Sequence, residues 1–580
     1  MKYIGIFFLC CFCFLQANAQ LTPFELSKDK NYTATYQEVI AYYQKIAKTS
    51  PQIKLFNYGT TDVGLPLTLI VLSHDGVFNP STIKKQDKRV LLINNGIHPG
   101  EPEGIDATMM LTRDLLKKHA IPNNLVICMV AVYNIDGCLN RGVSRINQNG
   151  PIAYGFRGNY RNLDLNRDFI KADSKNALAL EEIINTWKPD VFLDNHTSDG
   201  ADYQYVMTLI ETQKDKQNPI LANYTSKVLT PGLYAGIKNK GFEMIPYGAG
   251  ENGLPDSGIV SFLELPRFAT GFTAQRNIIS YITETHMLKP FDKRVYATYT
   301  FMEILIDLIK KDAKNIGDLK LKADEQVSSQ QNFALNWELD TTKVDTITFK
   351  GYTASYKPSE VSQQTRLYYD RDKPYTKTIK YFDNYKASDS VKKPWAYIIP
   401  QAWGKVIDLF RLNGVKMRRL NNDTTLNLEM YYINDYKTVS KPYEGHYLHS
   451  KVNLIPVETK VKFYKGDYVV MVNQPLNRYI VETLEPKGVD SFFAWNFFDS
   501  VLGEKEYFSD YVFEDVAADL LKKDPALKAK LEEEKLKNPQ LAGSAKQQLY
   551  FVYRYSPYFE KTYLRYPIGR ILSALNLNTK

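Results

Sequence analysis

A chain of 580 residues, 44% hydrophobic and 24% charged, has ordinary globular composition and is longer than one core normally covers, so two domains or three are expected. Its 73 basic and 64 acidic residues give a formal charge of +9, but the signs are interleaved without a basic stripe, which argues against a nucleic-acid partner. Beyond the first 20 residues no run approaches the roughly 18 apolar residues that a membrane span needs, so none is expected in the mature chain.

Residues 1–19 read as a signal peptide. Lys2 gives the positive start, Tyr3–Leu15 the apolar segment, and Ala17-Asn18-Ala19 a small-residue cleavage pattern before Gln20. The mature protein is therefore expected to be secreted or periplasmic. Three of the five cysteines leave with this segment. Cys128 and Cys138 remain as free thiols, because the chain between them would have to double back sharply to bring them within bonding reach.

Thr33–Thr49 has helical spacing and ends before Pro51. Ile53–Tyr58 and Pro66–Ser73, joined by GTTDVG, predict a hairpin. Arg89–Asn94 is a buried-strand candidate that runs into IHPGE, after which Gly104–Lys118 has the period of a helix. Leu125–Tyr133 predicts a second apolar strand, ending in NIDG. Asp190–Asp194 follows a helix over Asn176–Trp187 and ends in NHTSDG, and Ile278–Thr283 ends in ETH. This alternation predicts a largely parallel α/β sheet, whose ligand site gathers at the carboxyl ends of its strands. His98, Glu101, His196 and Glu284 all fall there.

A helix over Arg294–Lys311 and a polar linker over 315–332 would close this part. The domain boundary is set at 325/326, giving a catalytic domain over 20–325 and a smaller mixed α+β accessory region over 326–580. In that region Phe333–Tyr381 reads as short alternating strands, Trp395–Arg419 as strand–helix–strand, Tyr468–Gln474 as a strand, and Tyr511–Lys537 as mainly helical. Tyrosine is a favoured strand residue, so the many tyrosines here are read as structural rather than as sugar-stacking surfaces.

Catalytic zinc takes three protein ligands and keeps one position open. His98 and Glu101 can reach one ion from a single turn, and His196 is the natural third ligand. A carboxylate at Glu284 suits a general base, with Glu264 as its rival. In YGFRGNYRNLDLNRDF, Arg157, Arg161 and Arg167 offer fixed positive charge, and Asn166-Arg167 paired donors for a carboxylate. Asp194 and Asp199 flank His196 and either could orient it through a hydrogen bond.

HPGE, an arginine nine residues before the Asn166-Arg167 of LDLNRDF, then DNHTSD and ETH, resemble in order and spacing the zinc carboxypeptidase family of the carboxypeptidase A and B type over about residues 33–310. The resemblance implies a mixed, mostly parallel eight-stranded sheet with helices on both faces. It implies one Zn2+ per chain, held by His98, Glu101 and His196. It also gives Arg157 the role of polarising the scissile carbonyl, Asn166 and Arg167 that of holding the substrate's terminal carboxylate, and Glu284 that of the base. The implied reaction is hydrolysis of the C-terminal amide bond of a peptide or peptide-like substrate through a metal-activated water. The same chemistry on a peptidoglycan stem peptide or an N-acyl amino acid, or a non-catalytic binding protein built on this fold, are the alternatives.

The sequence departs from the family where a substrate-capping tyrosine is expected. Tyr247 lies far back, and Phe268 and Phe272 occupy the nearer places. Arg267 or Arg276 would favour an acidic terminal residue if either faced the pocket. His286 is expected to pack or to sit behind the site, and His446 and His449 to be a partly exposed loop pair. Residues 390–570 resemble the C-terminal region of large secreted bacterial relatives of this family, a likeness that carries no role.

Overall fold

The computed structural model describes residues 21–251 and 253–580; the expected signal peptide lies outside them. The first half is built on eight strands: β1 (Ile53–Tyr58), β2 (Leu67–Leu72), β3 (Arg89–Asn95), β4 (Leu125–Val130), β5 (Val191–Ser198), β6 (Met207–Glu211), β7 (Met244–Pro246) and, after a small hairpin of β8 (Gly248–Gly250) and β9 (Gly258–Ser261), β10 (Ile279–His286). Their order in the sheet is β1-β2-β4-β3-β5-β10-β6-β7. The centre, β4-β3-β5-β10, is parallel, as is β6-β7, and the remaining pairs are antiparallel. The expected mixed, mostly parallel eight-stranded sheet is therefore present.

Strand burial follows from composition. Every side chain of β2, β3 and β4 is buried, as continuous aliphatic runs covered on both faces should be. At the edge the two faces separate. Phe56 and Tyr58 of β1 meet Trp187 of the helix Lys175–Trp187, with the indole Nε1–H donating to the Tyr58 hydroxyl at 2.8 Å. Thr68, opposite Asn57, turns instead toward Tyr36 of the helix Tyr36–Ala47. That helix opens with a capping box between Thr35 and Glu38, an arrangement worth about 1 kcal/mol.

The polar stretch 315–332, expected as a linker, is instead mostly helix. Phe291–Ser329 is one helical run of 39 residues, interrupted only at Asp312 (φ −119°, ψ 22°), and it crosses the expected 325/326 boundary. Ile316, Ala323 and Val327 form a buried stripe along its later turns.

The second half is mixed α and β. β11 (Asn332–Leu339) pairs with β14 (Tyr385–Lys392). Between them β12 (Asp345–Pro358) and β13 (Thr365–Phe382) make one long hairpin rather than several short strands. β13 pairs in parallel with β9 of the first half, Tyr381 lying opposite Ile259. A six-stranded sheet of β15 (Ala396–Ile399), β16 (Arg418–Arg419), β17 (Thr424–Thr438), β18 (His449–Phe463), β19 (Tyr468–Met471) and β20 (Gly569–Ile571) follows. Helices Asp510–Lys523, Pro525–Lys537 and Ala545–Arg554 close around their own apolar cluster. Cys128 and Cys138 are buried free thiols, and no helix among the described residues is long and apolar enough to cross a membrane.

Candidate metal centre and active site

The site is built at the carboxyl end of β3. Gly96 turns the chain there with φ +66°, a left-handed conformation that favours glycine, and a Cβ on it would meet Ile105 at 2.9 Å. His98 and Glu101 follow in a tight turn closed by the Glu101 N–H donating to the His98 carbonyl at 2.8 Å. The helix Glu103–Lys117 then starts against β5. Gly104 permits this close approach, since a Cβ there would lie 2.5 Å from the Asn195 Cβ. His196 stands on β5 beside Asn195.

The three side chains converge. His98 Nδ1 lies 3.2 Å from Glu101 Oε1, His196 Nδ1 lies 3.1 Å from Glu101 Oε2, and all three residues are buried. One ligand atom from each falls within 4.8 Å of the others, and among the described residues no other trio of histidine, cysteine or carboxylate does this. The outward ring nitrogens face carboxylates: His98 Nε2 is 2.9 Å from Asp164 Oδ1 and His196 Nε2 is 3.4 Å from Asp194 Oδ2. Such partners favour protonation of Nε2 and leave the Nδ1 lone pairs for a metal. Two imidazoles and a carboxylate arranged this way fit Zn2+. Of the two aspartates flanking His196, it is Asp194 that faces the ring. Asp199 lines the adjoining cavity instead.

Glu101 is a carboxylate among cations. Burial disfavours its charge, yet His98, Arg145 and His196 hold it well below the usual range, with Arg145 Nη1 2.8 Å from Oε1. Asp164 behaves similarly. Burial works against it, but His98, Arg157 and Arg167 keep it ionised far below the ordinary aspartate value. Its Oδ1 accepts from His98 Nε2 and from the Asn166 N–H, and its Oδ2 accepts from Arg157 Nε and Nη2 at 2.9 and 2.8 Å. One carboxylate thus ties together a metal-ligand candidate, the carbonyl-polarising arginine candidate and the turn that carries Asn166-Arg167.

A cavity of about 230 Å³ opens beside the trio, and all seven residues singled out in the sequence line it: His98, Glu101, Arg157, Asn166, Arg167, His196 and Glu284. Glu284 lies within β10, which runs on to His286 rather than ending at Thr283. Burial pushes its carboxyl up from the usual glutamate range, opposed by His196 and reinforced by Glu101 and Glu264. Glu264 lines the same cavity, but its Oε2 is held by the Thr270 N–H and hydroxyl, both at 2.7 Å. Arg161 lies outside this wall. A larger crevice, about 620 Å³, sits at the other end of the strands, where Arg89 is paired with Asp87 and Asp190, and Lys88 with Asp75.

The sequence singles out none of Arg145, Ile210 and Phe262 in this wall, and it sets Tyr247 too far back. Tyr247 lines the cavity despite its separation from Glu284, because the β8–β9 hairpin folds the intervening chain back on itself. Phe268 also lines it, with the Arg167 guanidinium 4.6 Å over its ring, whereas Phe272 is core. Neither Arg267 nor Arg276 faces the pocket. Arg267 is bound by Asp490 of the second half, and Arg276 lies buried between Phe272 and Tyr479. His286 packs against Tyr203 and the Ala201 carbonyl. His446 and His449 are not a metal pair, being taken by Asp173 and by Thr438 and Asp499.

Residues 39–215 match the zinc carboxypeptidase family. The chain is 21% identical to carboxypeptidase 2 of Trichophyton rubrum over 465 residues, 74% of this chain and 76% of that protein. Similar solved structures include a metallo-carboxypeptidase from Burkholderia cenocepacia (15% identity, 49% of this chain and 70% of that one, TM-score 0.35). Another is the carboxypeptidase A of Helicoverpa armigera (16% identity, 51% and 77%, TM-score 0.36). That family match spans the strands that carry the His98, Glu101 and His196 trio, so the part of the chain that builds the metal site is similar to the zinc carboxypeptidases, and a further C-terminal region follows it.

Proposed function

We propose that this protein is a secreted or periplasmic carboxypeptidase that binds one zinc ion per chain and removes the C-terminal residue of a peptide or peptide-like substrate. The observation that carries this reading is the shared cavity. A metal trio, a free carboxylate and two arginines with different hydrogen-bonding needs all open onto one space of about 230 Å³.

Bound by His98, Glu101 and His196, zinc would supply Lewis acidity for the attacking water and the scissile carbonyl. Glu284 takes the proton as the water oxygen adds to the carbonyl carbon, and returns it to the amine as the C–N bond breaks. Arg157, braced by Asp164, directs its remaining N–H groups at the carbonyl oxygen as negative charge builds there. Arg167, and Asn166, whose side-chain amide makes no hydrogen bond among the described residues, hold the terminal carboxylate. That pairing favours a free chain end over an internal bond.

Purified protein assayed against blocked and free-ended peptides, muropeptides and N-acyl amino acids tests the proposal. Release of single C-terminal residues from free-ended peptides is expected. Zinc binding without hydrolysis of any of these would replace the enzyme with a binding protein.

A further inference from the structure

Asp164 does most of the bracing in the first-half site, and the second half reaches it. The Asp164 N–H donates to Oε2 of Glu444 at 2.8 Å, across 280 positions of sequence. Glu444 sits at φ +49° in a turn closed by mutual backbone hydrogen bonds between Tyr443 and His446. That turn is held against the site from two further directions. His446 Nε2 lies 2.6 Å from Asp173 Oδ2, and the Tyr443 ring lies 5.3 Å beneath Arg267, which Asp490 fixes.

The electrostatics make this contact informative. Glu444 brings a second carboxylate beside Asp164, a like-charge placement that costs energy on its own. Arg167 and Lys171 offset that cost. The geometric effect is specific. The Glu444 contact anchors the Asp164 backbone where its Oδ1 meets His98 and its Oδ2 meets Arg157.

We propose that Glu444 is a positioning residue for the active site. Through the Asp164 backbone it fixes the carboxylate that aims His98 at the metal and Arg157 at the substrate carbonyl, so the C-terminal region is part of the catalytic apparatus. The inference rests on the metal-site reading above.

The test uses the full chain with Glu444→Gln, Glu444→Asp and Glu444→Ala. Zinc affinity is read by chelator competition, kcat and KM on a free-ended peptide, and folding by thermal melting. Asp keeps the charge and tolerates the left-handed backbone but is one methylene short. Gln keeps both the reach and an acceptor. Partners standing behind metal ligands typically tune affinity by about 10- to 100-fold. Asp and Ala are therefore expected to weaken zinc binding by about 10-fold and to lower kcat more than they raise KM. Gln, which loses only the charge assistance of one hydrogen bond, should change affinity by no more than about 3-fold. Should Ala fail to fold, the Asp and Gln pair decides. Wild-type zinc affinity in the Asp variant, or a loss in Gln equal to that in Asp, overturns the proposal. A wild-type chain that binds zinc but cleaves no peptide removes the functional reading and leaves the zinc comparison to stand; one that binds no zinc removes both.

Discussion

Glu284 and His196 lie directly opposite each other on the adjacent parallel strands β10 and β5. In a parallel pair, opposite residues project to the same side of the sheet. The strand register therefore sets the spacing between the candidate base and a candidate metal ligand, and no mobile loop intervenes.

Glu284→Gln should leave zinc content near wild type while kcat falls by about 10²- to 10⁴-fold, the range of a lost general base. Metal analysis beside steady-state kinetics checks this. Glu264→Gln should cost far less, because Thr270 already occupies one of its oxygens. A larger loss in Glu264→Gln would transfer the role.

The two cavity arginines should separate kinetically. Arg157→Gln is expected to lower kcat by about 10²-fold, as for a lost oxyanion donor, with KM changing less. Arg167→Gln should instead raise KM by about 10- to 100-fold, since the loss of a charge-assisted pair to a carboxylate costs about 1.5–3 kcal/mol. Identical effects of both on kcat and KM would merge their roles.

Exhaustive chelation should abolish activity, and stoichiometric zinc should restore it. Because the trio is assembled only in the folded chain, zinc should also raise the melting temperature, by an amount that grows with free zinc. Titration calorimetry should reach saturation at one ion per chain. Activity that survives in the metal-free protein contradicts the proposed chemistry.

Asp173 joins the two halves, taking Lys405 at 2.7 Å and His446 at 2.6 Å from the second half and Lys171 at 2.9 Å from its own. Burial opposes its charge, but His446, Lys171 and Lys405 hold it well below the ordinary value. An aspartate whose folded-state pKa lies below the unfolded value of about 3.9 adds stability above that value. The stability is lost as pH falls through the folded value. Asp173→Asn should therefore cost about 2 kcal/mol near neutrality. The gap in melting temperature from wild type should narrow as the pH falls below about 4. A gap that stays constant with pH would mean the carboxylate charge is not what stabilises the seam.

The sequence disclosed the site where chemistry is local. HPGE, LDLNRDF and NHTSD each place reactive groups within one turn or strand end, and the apolar strands around them forecast the sheet edge that gathers them. Arg145 and Tyr247 were missed because only tertiary folding brings them in; Tyr247 depends on the β8–β9 hairpin, itself zipped to β13. Asp164 stands within LDLNRDF without a visible role there, since two of its partners, a histidine 66 positions away and the Glu444 carboxylate of the second half, reach it only through folding. The 315–332 stretch was misread by composition. Its buried residues, Ile316, Ala323 and Val327, are too few and too small to stand out among lysines, aspartates and glutamates.

The helix Phe291–Ser329 carries a lesson for how such a chain could be rearranged. It closes the sheet at one end and delivers the polypeptide to β11 at the other, so the middle of the protein is a continuous helical run broken only at Asp312. Recombination with a relative at that point would have to preserve helical phase as well as reading frame. A slip of one residue rotates everything beyond it by about 100°. The two halves are thus bound to be exchanged together or to be fitted again at every contact.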